Sequence, residues 1–195
     1  SMDYVNLTPD ENVFGAYAQY TFTLDDKLAL MAGIRVDRSN LHGTFVTPRA
    51  HLRWDPSSWF TMRASAGKGY RTSHVLPEMH YLLASSRRWE GLETMPPQEE
   101  SWNAGTSWQF SIPLGDKTLE LNTDYYYTPF MQQLVVDRDA PGKIRFYALD
   151  GRSFSHCLQI EATYPFFEGF SLTAAWRKNH VRTTYQDGRL RETPL

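Results

Sequence analysis

Residues 47–78 read TPRAHLRWDPSSWFTMRASAGKGYRTSHVLPE, and two alternating runs with a tight turn between them decide the fold. In the first run Val46, Pro48, Ala50, Leu52 and Trp54 take the even positions, against Thr47, Arg49, His51, Arg53 and Asp55 at the odd ones. A period of two with this division is a strand with one apolar and one ionic face. Asp55, Pro56, Ser57 and Ser58 combine a fixed φ with side chains that bond their own backbone, so the chain is expected to reverse there. In the second run Phe60, Met62, Ala64, Ala66 and Tyr70 oppose Thr61, Arg63, Ser65, Gly67, Gly69 and Arg71, with Lys68 the only charge on the apolar side. A polar face carrying Arg49, Arg53, Arg63 and Arg71 in line fits a wet interior better than the outer surface of a soluble sandwich.

The same grammar extends in both directions. Residues 13–24 set Phe14, Ala16, Ala18, Tyr20, Phe22 and Leu24 against Tyr17, Gln19, Thr21 and Thr23, and residues 27–37, 101–111, 118–128, 154–164 and 170–179 alternate likewise. Strands of about ten residues have the span of a transmembrane β-strand. Short connections at 25–26, 55–58, 113–117 and 165–169 alternate with long ones at 38–44, 71–100, 129–153 and 180–195. Tight turns at one end and long loops at the other make an up-and-down meander of the outer-membrane type. Aromatic residues gather near both strand ends, Trp59, Phe60, Phe110, Phe166 and Phe167 beside the turns and Tyr70, Trp102, Tyr125, Tyr127 and Trp176 towards the loops, as two interfacial girdles would. The expected fold class is all-β, an antiparallel meander forming a segment of a transmembrane β-barrel.

Composition sets limits on the function. A formal net charge of −2 over 195 residues, without a basic run, argues against a nucleic-acid partner. The single Cys157 leaves no internal disulfide. A mean hydropathy of −0.51 and the lack of a long apolar run exclude a transmembrane helix, but not a barrel, whose strands are only half apolar. Residues 1–12 have no apolar core of a signal peptide and read as a lead-in, with Ser1 and Met2 a remnant of cloning. Residues 13–195 then form the barrel segment, of about eight strands.

No constellation points to catalysis. His74, Glu78 and His80 have no recognised ligand spacing, so no metal is expected. GKGYR at 67–71 lacks the helix a phosphate loop needs, and His51, Ser65 and Asp124 share the polar face without a nucleophile motif. Cys157 reads as a small buried side chain rather than a reactive thiol. The expectation is a protein that is not an enzyme and takes no cofactor. The ionic set is more informative: Arg35, Asp37, Arg49, Arg53, Asp55, Arg63, Glu120, Asp124, Glu161 and Arg177 would line a lumen. Ligand contacts are expected in the long loops, with Tyr81, Arg87, Arg88, Trp89, Arg145 and Tyr147 as candidates by composition. Residues 72–99 and 129–150 lack sustained alternation and are expected to be the least ordered, with a short helix within 76–90 and a strand extension at 134–137.

TPRAHLRW, RASAGKGYRTSHVLPE, PPQEESWNAGTSW, LNTDYYYTPFMQQLVVD and GRSFSHCLQIEATYPFFEGFSLTAAW resemble, in that order, successive barrel strands of a TonB-dependent outer-membrane receptor of the Bacteroidetes kind. The resemblance runs from about Val13 to Leu195. It departs from the family at His156 and Cys157, where a glycine and an aliphatic residue are common. It implies a bacterial outer-membrane protein, a barrel of about 22 strands, and active import of siderophore-iron, haem, cobalamin or a glycan. The implied partners are outer-membrane lipid, an N-terminal plug and, through that plug, TonB, with a small molecule or glycan as ligand. Neither a plug nor a terminal aromatic strand is recognisable in the sequence, which is expected to be an internal part of the wall. A soluble β-sandwich binding glycan or protein is the alternative on the same strands, and would bury their apolar faces. An open, curved sheet with two unpaired edges is expected rather than a closed eight-stranded barrel, because the arginine-rich face would crowd a narrow lumen.

Overall fold

The structure is a computed structural model that describes residues 10–72, 86–91, 98–139 and 141–193. Among the described residues twelve strands form two sheets. They are β1 (Val13–Leu24), β2 (Leu28–Ser39), β3 (Gly43–Ser57), β4 (Phe60–Thr72), β5 (Arg88–Glu90), β6 (Gln98–Leu114), β7 (Lys117–Gln132), β8 (Leu134–Asp137), β9 (Lys143–Ala148), β10 (Ser153–Phe167), β11 (Phe170–Thr184) and β12 (Leu190–Glu192). The large sheet runs in the order β1-β2-β3-β4-β6-β7-β10-β11-β12, with every pair antiparallel. It is an open meander: β1 and β12 are its edges and do not meet.

The register carries the alternation from strand to strand, because residues directly opposite one another in an antiparallel pair share a face. One row runs Tyr20, Ala32, Ala50, Ala66, Ala104, Tyr127, His156, His180, and another Phe22, Leu30, Leu52, Ala64, Thr106, Tyr125, Leu158, Lys178. The opposite face carries the row Thr23, Ala29, Arg53, Arg63, Ser107, Asp124, Gln159, Arg177. Nothing among the described residues covers the apolar face: Tyr20 is 70% exposed, Trp176 53%, Leu30 43% and Trp54 43%. Among the described residues the buried hydrophobic side chains are Val135, Ile144 and Phe146, all in the small sheet. The large sheet thus has no protein core of its own among the described residues, unlike a sandwich, which would bury these apolar faces.

The turns are tighter than the sequence suggested. β3 continues through Pro56 to Ser57, with an irregularity between Trp54 and Ser57, and the reversal falls at Ser58 and Trp59. A proline lacks a ladder donor and is tolerated at such a bulge. Asp25 and Asp26 turn the chain with positive φ of 48° and 54°, and Gly115 and Gly169 do so at 69° and 80°. The connection expected to be long at 38–44 is only the turn 40–42, since β2 and β3 pair up to Ser39 and Gly43. Around the tight turns Trp59, Phe60 and Phe110 cluster with ring centroids 5.0–6.4 Å apart, and Phe167 stacks on Phe170 at 5.0 Å.

Within 129–150, expected to be loop apart from a strand at 134–137, residues 129–132 complete β7, the strand at 134–137 is present as β8, and β9 is added where loop was expected. Together β8 and β9 build most of the small sheet, ordered β5-β9-β8. The apolar run at β8 pairs antiparallel with β9, and β5 joins β9 in parallel, Trp89 opposite Ile144. Ile144 is fully buried, with Trp89, Leu134 and Val136 packed around it and Phe146. Arg88–Glu90 is therefore a strand where a helix was expected, Ser86 and Arg87 are not helical either, and residues 76–85 of that expected helix lie outside the described residues.

Candidate functional site

The ionic face forms a graded wall. Near the open end Arg35 Nε holds Asp37 Oδ2 at 2.7 Å, with Asp37 buried and Gly15 opposite it leaving room for the carboxylate. Arg49 lies in a trough made by the glycines opposite it on both neighbouring strands: a Cβ on Gly33 would meet Arg49 Nε at 3.3 Å, and one on Gly67 would meet Arg49 Cβ at 3.4 Å. Its guanidinium donates to Gln19 Oε1 at 3.0 Å. Lower down Arg53 Nε pairs with Asp55 Oδ2 at 2.7 Å. Arg63 stands directly opposite Arg53 and has no ion-pair partner among the described residues. The two arginines line an open depression of about 430 Å³ with Met31, His51, Ser65 and Tyr126. Glu120 accepts from Ser111 at 2.8 Å, and Arg177 donates to Asn179 at 3.2 Å. By register Asp124 and Glu161 share this face, so all the residues expected to line a lumen lie on one side of the sheet.

A second cluster at the open end was not legible in the sequence. Above Gly67 the pairing of β3 with β4 stops, and Tyr70 meets Phe45 with centroids 4.9 Å apart. Lys68 pairs with Glu100 Oε1 at 2.7 Å and stands 4.8 Å from the Tyr70 ring, so the charge that looked stranded on the apolar side is neutralised. Glu11 accepts from both Ser39 at 2.8 Å and Thr72 at 3.0 Å, which ties the lead-in across β2 and β4.

Above this rim stands the small sheet with most of the loop candidates. Trp89 is half-buried, its ring 5.2 Å from Phe146, and so serves as packing where an exposed contact was expected. Arg145 approaches Glu90 at 3.6 Å and Gln186 at 3.4 Å. The Tyr147 hydroxyl accepts from the Gln186 amide at 3.1 Å, and its burial pushes the phenol above its ordinary value. Lys143 holds Glu90 at 2.7 Å and keeps that carboxyl below the usual range. Arg87 donates to the Arg138 carbonyl at 3.1 Å, and Arg88 is exposed at the head of β5. Tyr81, His74, Glu78 and His80 lie outside the described residues. Among the described residues no cluster has the make-up of a metal site. His51 and Ser65 are opposite one another but Asp124 sits in a different row, so no triad forms. Cys157 is half-buried on the ionic face, more open than expected.

A long-stranded meander with a bare apolar face, an ionic face and loops massed at one end defines a wall segment of an outer-membrane β-barrel. The family described as "TonB dependent receptor-like, beta-barrel" matches residues 3–194, and the chain belongs to it. It is a protein of the bacterial outer membrane, in a family of transport receptors rather than enzymes. Among solved structures it is similar to the siderophore receptor PirA of Pseudomonas aeruginosa, with 14% identity and a TM-score of 0.61 over 91% of this chain and 38% of that one. It is also similar to the copper transporter OprC, with 15% identity and a TM-score of 0.67 over 92% of this chain and 30% of that one. The FrpB iron transporter of Neisseria meningitidis gives 16% identity and a TM-score of 0.63 over 91% and 27%. The chain thus spans between about a quarter and two fifths of these relatives. No curated protein matches it by sequence.

Proposed function

We propose that this chain serves as part of the wall of a receptor that imports a scarce ligand by TonB-driven transport. Its ionic face lines the lumen and meets water and an N-terminal plug, with Arg35, Asp37, Arg49, Arg53, Arg63, Glu120, Asp124, Glu161 and Arg177 as the docking surface. The observation that carries this reading is the division of faces kept in register across eight long strands with no protein core between them. The unpaired Arg63 beside Arg53 leaves positive charge that an acidic group of the plug would answer. Ligand is gathered by the small sheet and rim, through Arg87, Arg88, Arg145 and Tyr147, with Tyr81 in the same loop region. The cargo class is siderophore-iron, haem, cobalamin or glycan. The printed names of the solved relatives, which concern siderophore, copper and iron, weight the metal-bearing end of that range.

Adjacent residues on opposite faces give the test. Thr106 shares the apolar face and Ser107 the ionic one. Nitroxide labels are attached to Thr106→Cys and Ser107→Cys in a Cys157→Ser background, in the receptor reconstituted in lipid vesicles. Dissolved oxygen is expected to relax the label at 106, and an aqueous nickel chelate the one at 107. The reverse pattern, or water access at both, would overturn the assignment.

A further inference from the structure

The apolar face changes character at one place. On β11 the residues facing that way are Leu172, Ala174 and Trp176, then Lys178, His180 and Arg182. Three potentially cationic side chains follow one another on the face that meets lipid, which is costly unless they stand at the membrane surface. Height decides the matter. From Phe170 beside the tight turn, a strand rising ~3.4 Å per residue and tilted by ~40° brings Lys178 to ~21 Å, His180 to ~26 Å and Arg182 to ~31 Å. The apolar band of such a barrel is ~25 Å tall. Lys178 therefore reaches up from just beneath the upper boundary, while His180 and Arg182 lie level with the headgroups. Loops mass at this end, so the headgroups are those of the outer leaflet. The opposite part of the wall differs: eight residues above their shared turn, β1 and β2 carry Ala16 and Val36 on the same face, with Val46 of β3 beside them in the same row.

The neighbours complete a site. His156, directly opposite His180, is held by the Tyr125 hydroxyl at 2.7 Å and stacks on Tyr127 with centroids 4.7 Å apart. That fixes an apolar and aromatic floor beside the cations, suited to an acyl chain. Glu192 lies 3.6 Å from His180 and 3.7 Å from Arg182, and is 71% exposed. At that distance and exposure it neutralises the patch only weakly. Arg182 Nε is out of contact with water and has no hydrogen-bond partner among the described residues.

Building on the barrel reading above, we infer that Lys178, His180 and Arg182 bind the phosphate of an anionic lipid headgroup in the outer leaflet, with its acyl chain lying down β10 and β11 towards Trp176. The lipid occupies the outside of the wall and takes no part in the path through the lumen.

The test uses the intact receptor in detergent, mixed with diphosphoryl lipid A, its dephosphorylated analogue or inorganic phosphate, and read by native mass spectrometry. Retention of the diphosphoryl form over the dephosphorylated one is expected. Each cation near a charged membrane surface is worth about fivefold, so Lys178→Gln with Arg182→Gln should cost roughly 25-fold in retention. The charge-keeping pair Lys178→Arg and Arg182→Lys should retain the lipid, and Glu192→Gln should increase retention. Arg53→Gln, on the other face, should leave it unchanged. Equal retention of both lipid forms, or no loss in the double Gln variant, overturns the inference, as does binding of inorganic phosphate with no preference for the lipid. These outcomes leave the wall assignment standing if the labels at 106 and 107 behave as above. If those labels reverse, the barrel reading falls first.

Discussion

Gly105 is a point where the wall is sensitive to a single substitution. It lies opposite Tyr126 on the ionic face, and a Cβ built there would sit 2.2 Å from Tyr126 Cδ1 and 2.4 Å from Cε1. The ring covers the bare backbone of β6, a packing only glycine permits. In Gly105→Ala the ring must swing away. Uncovering one ring face, about 60 Å², costs about 1.5 kcal/mol, and an off-rotamer Tyr adds ~0.5–1.5 kcal/mol. Ala in place of Gly returns about 0.5–1 kcal/mol within a strand. The net expectation is a loss of about 1–2.5 kcal/mol. Urea unfolding of the receptor in lipid vesicles measures it, within a cycle that adds Tyr126→Ala and the double variant. The double variant should be less destabilised than the sum of the singles by about 1 kcal/mol, since the ring and the methyl compete for one space. Gly69 provides the control, because nothing lies within 4 Å of its would-be Cβ, and Gly69→Ala should be neutral or slightly stabilising. Additive singles, or a neutral Gly105→Ala, would show that the ring does not rest on the glycine.

Three further outcomes are expected. In a barrel lacking its plug, Arg63→Gln removes one of two arginines set directly opposite, and should raise stability by about 0.2–1 kcal/mol at low salt, with the gain fading in 1 M salt as the Debye length falls to ~3 Å. Ile144→Ala, at the fully buried centre of the small sheet, should cost ~2–5 kcal/mol locally, seen as faster hydrogen exchange in β8 and β9 with β1–β4 unchanged. Because the Glu90 carboxyl is held below its unfolded value, chiefly by its hydrogen bond to Lys143, its contribution is present above that unfolded value and is lost as pH falls through the folded one. Exchange protection at β5 should therefore drop in acid, and Lys143→Gln should weaken that dependence, with Arg145 and Arg88 still lowering the carboxyl.

The alternation of the long strands was legible because each side chain there answers to only two media, and lipid tolerates no polar residue without a reason. That pressure writes the period of two into β1 to β4 and keeps it through β11. The small sheet answers to neither medium. Its parallel contact between Arg88–Glu90 and Lys143–Arg145 joins segments some 55 positions apart, and three residues carry no period by which to see it. That Trp89 is half-buried was not legible for the same reason: nothing local shows that Phe146 and Ile144 pack against it. The ionic set could be named from parity alone, but not the pairing within it. Arg35 and Asp37 pair within one strand, whereas that Arg63 stands opposite Arg53 depends on register, which the turn lengths set and which the bulge at Trp54/Ser57 displaced.

The irregularities in pairing occur at Trp54/Ser57, Glu100/Ser101 and Pro165/Phe167, each within a few residues of a strand end. An extra residue in mid-strand would exchange lipid for water along every position beyond it, whereas one at a strand end inverts two or three side chains at most. The wall can therefore lengthen or shorten over evolutionary time at its two rims, while its middle accepts substitution but not insertion. Sequence divergence in this lineage should accumulate as single-residue indels beside the turns and under the loops, with an indel-free belt across the height of the bilayer.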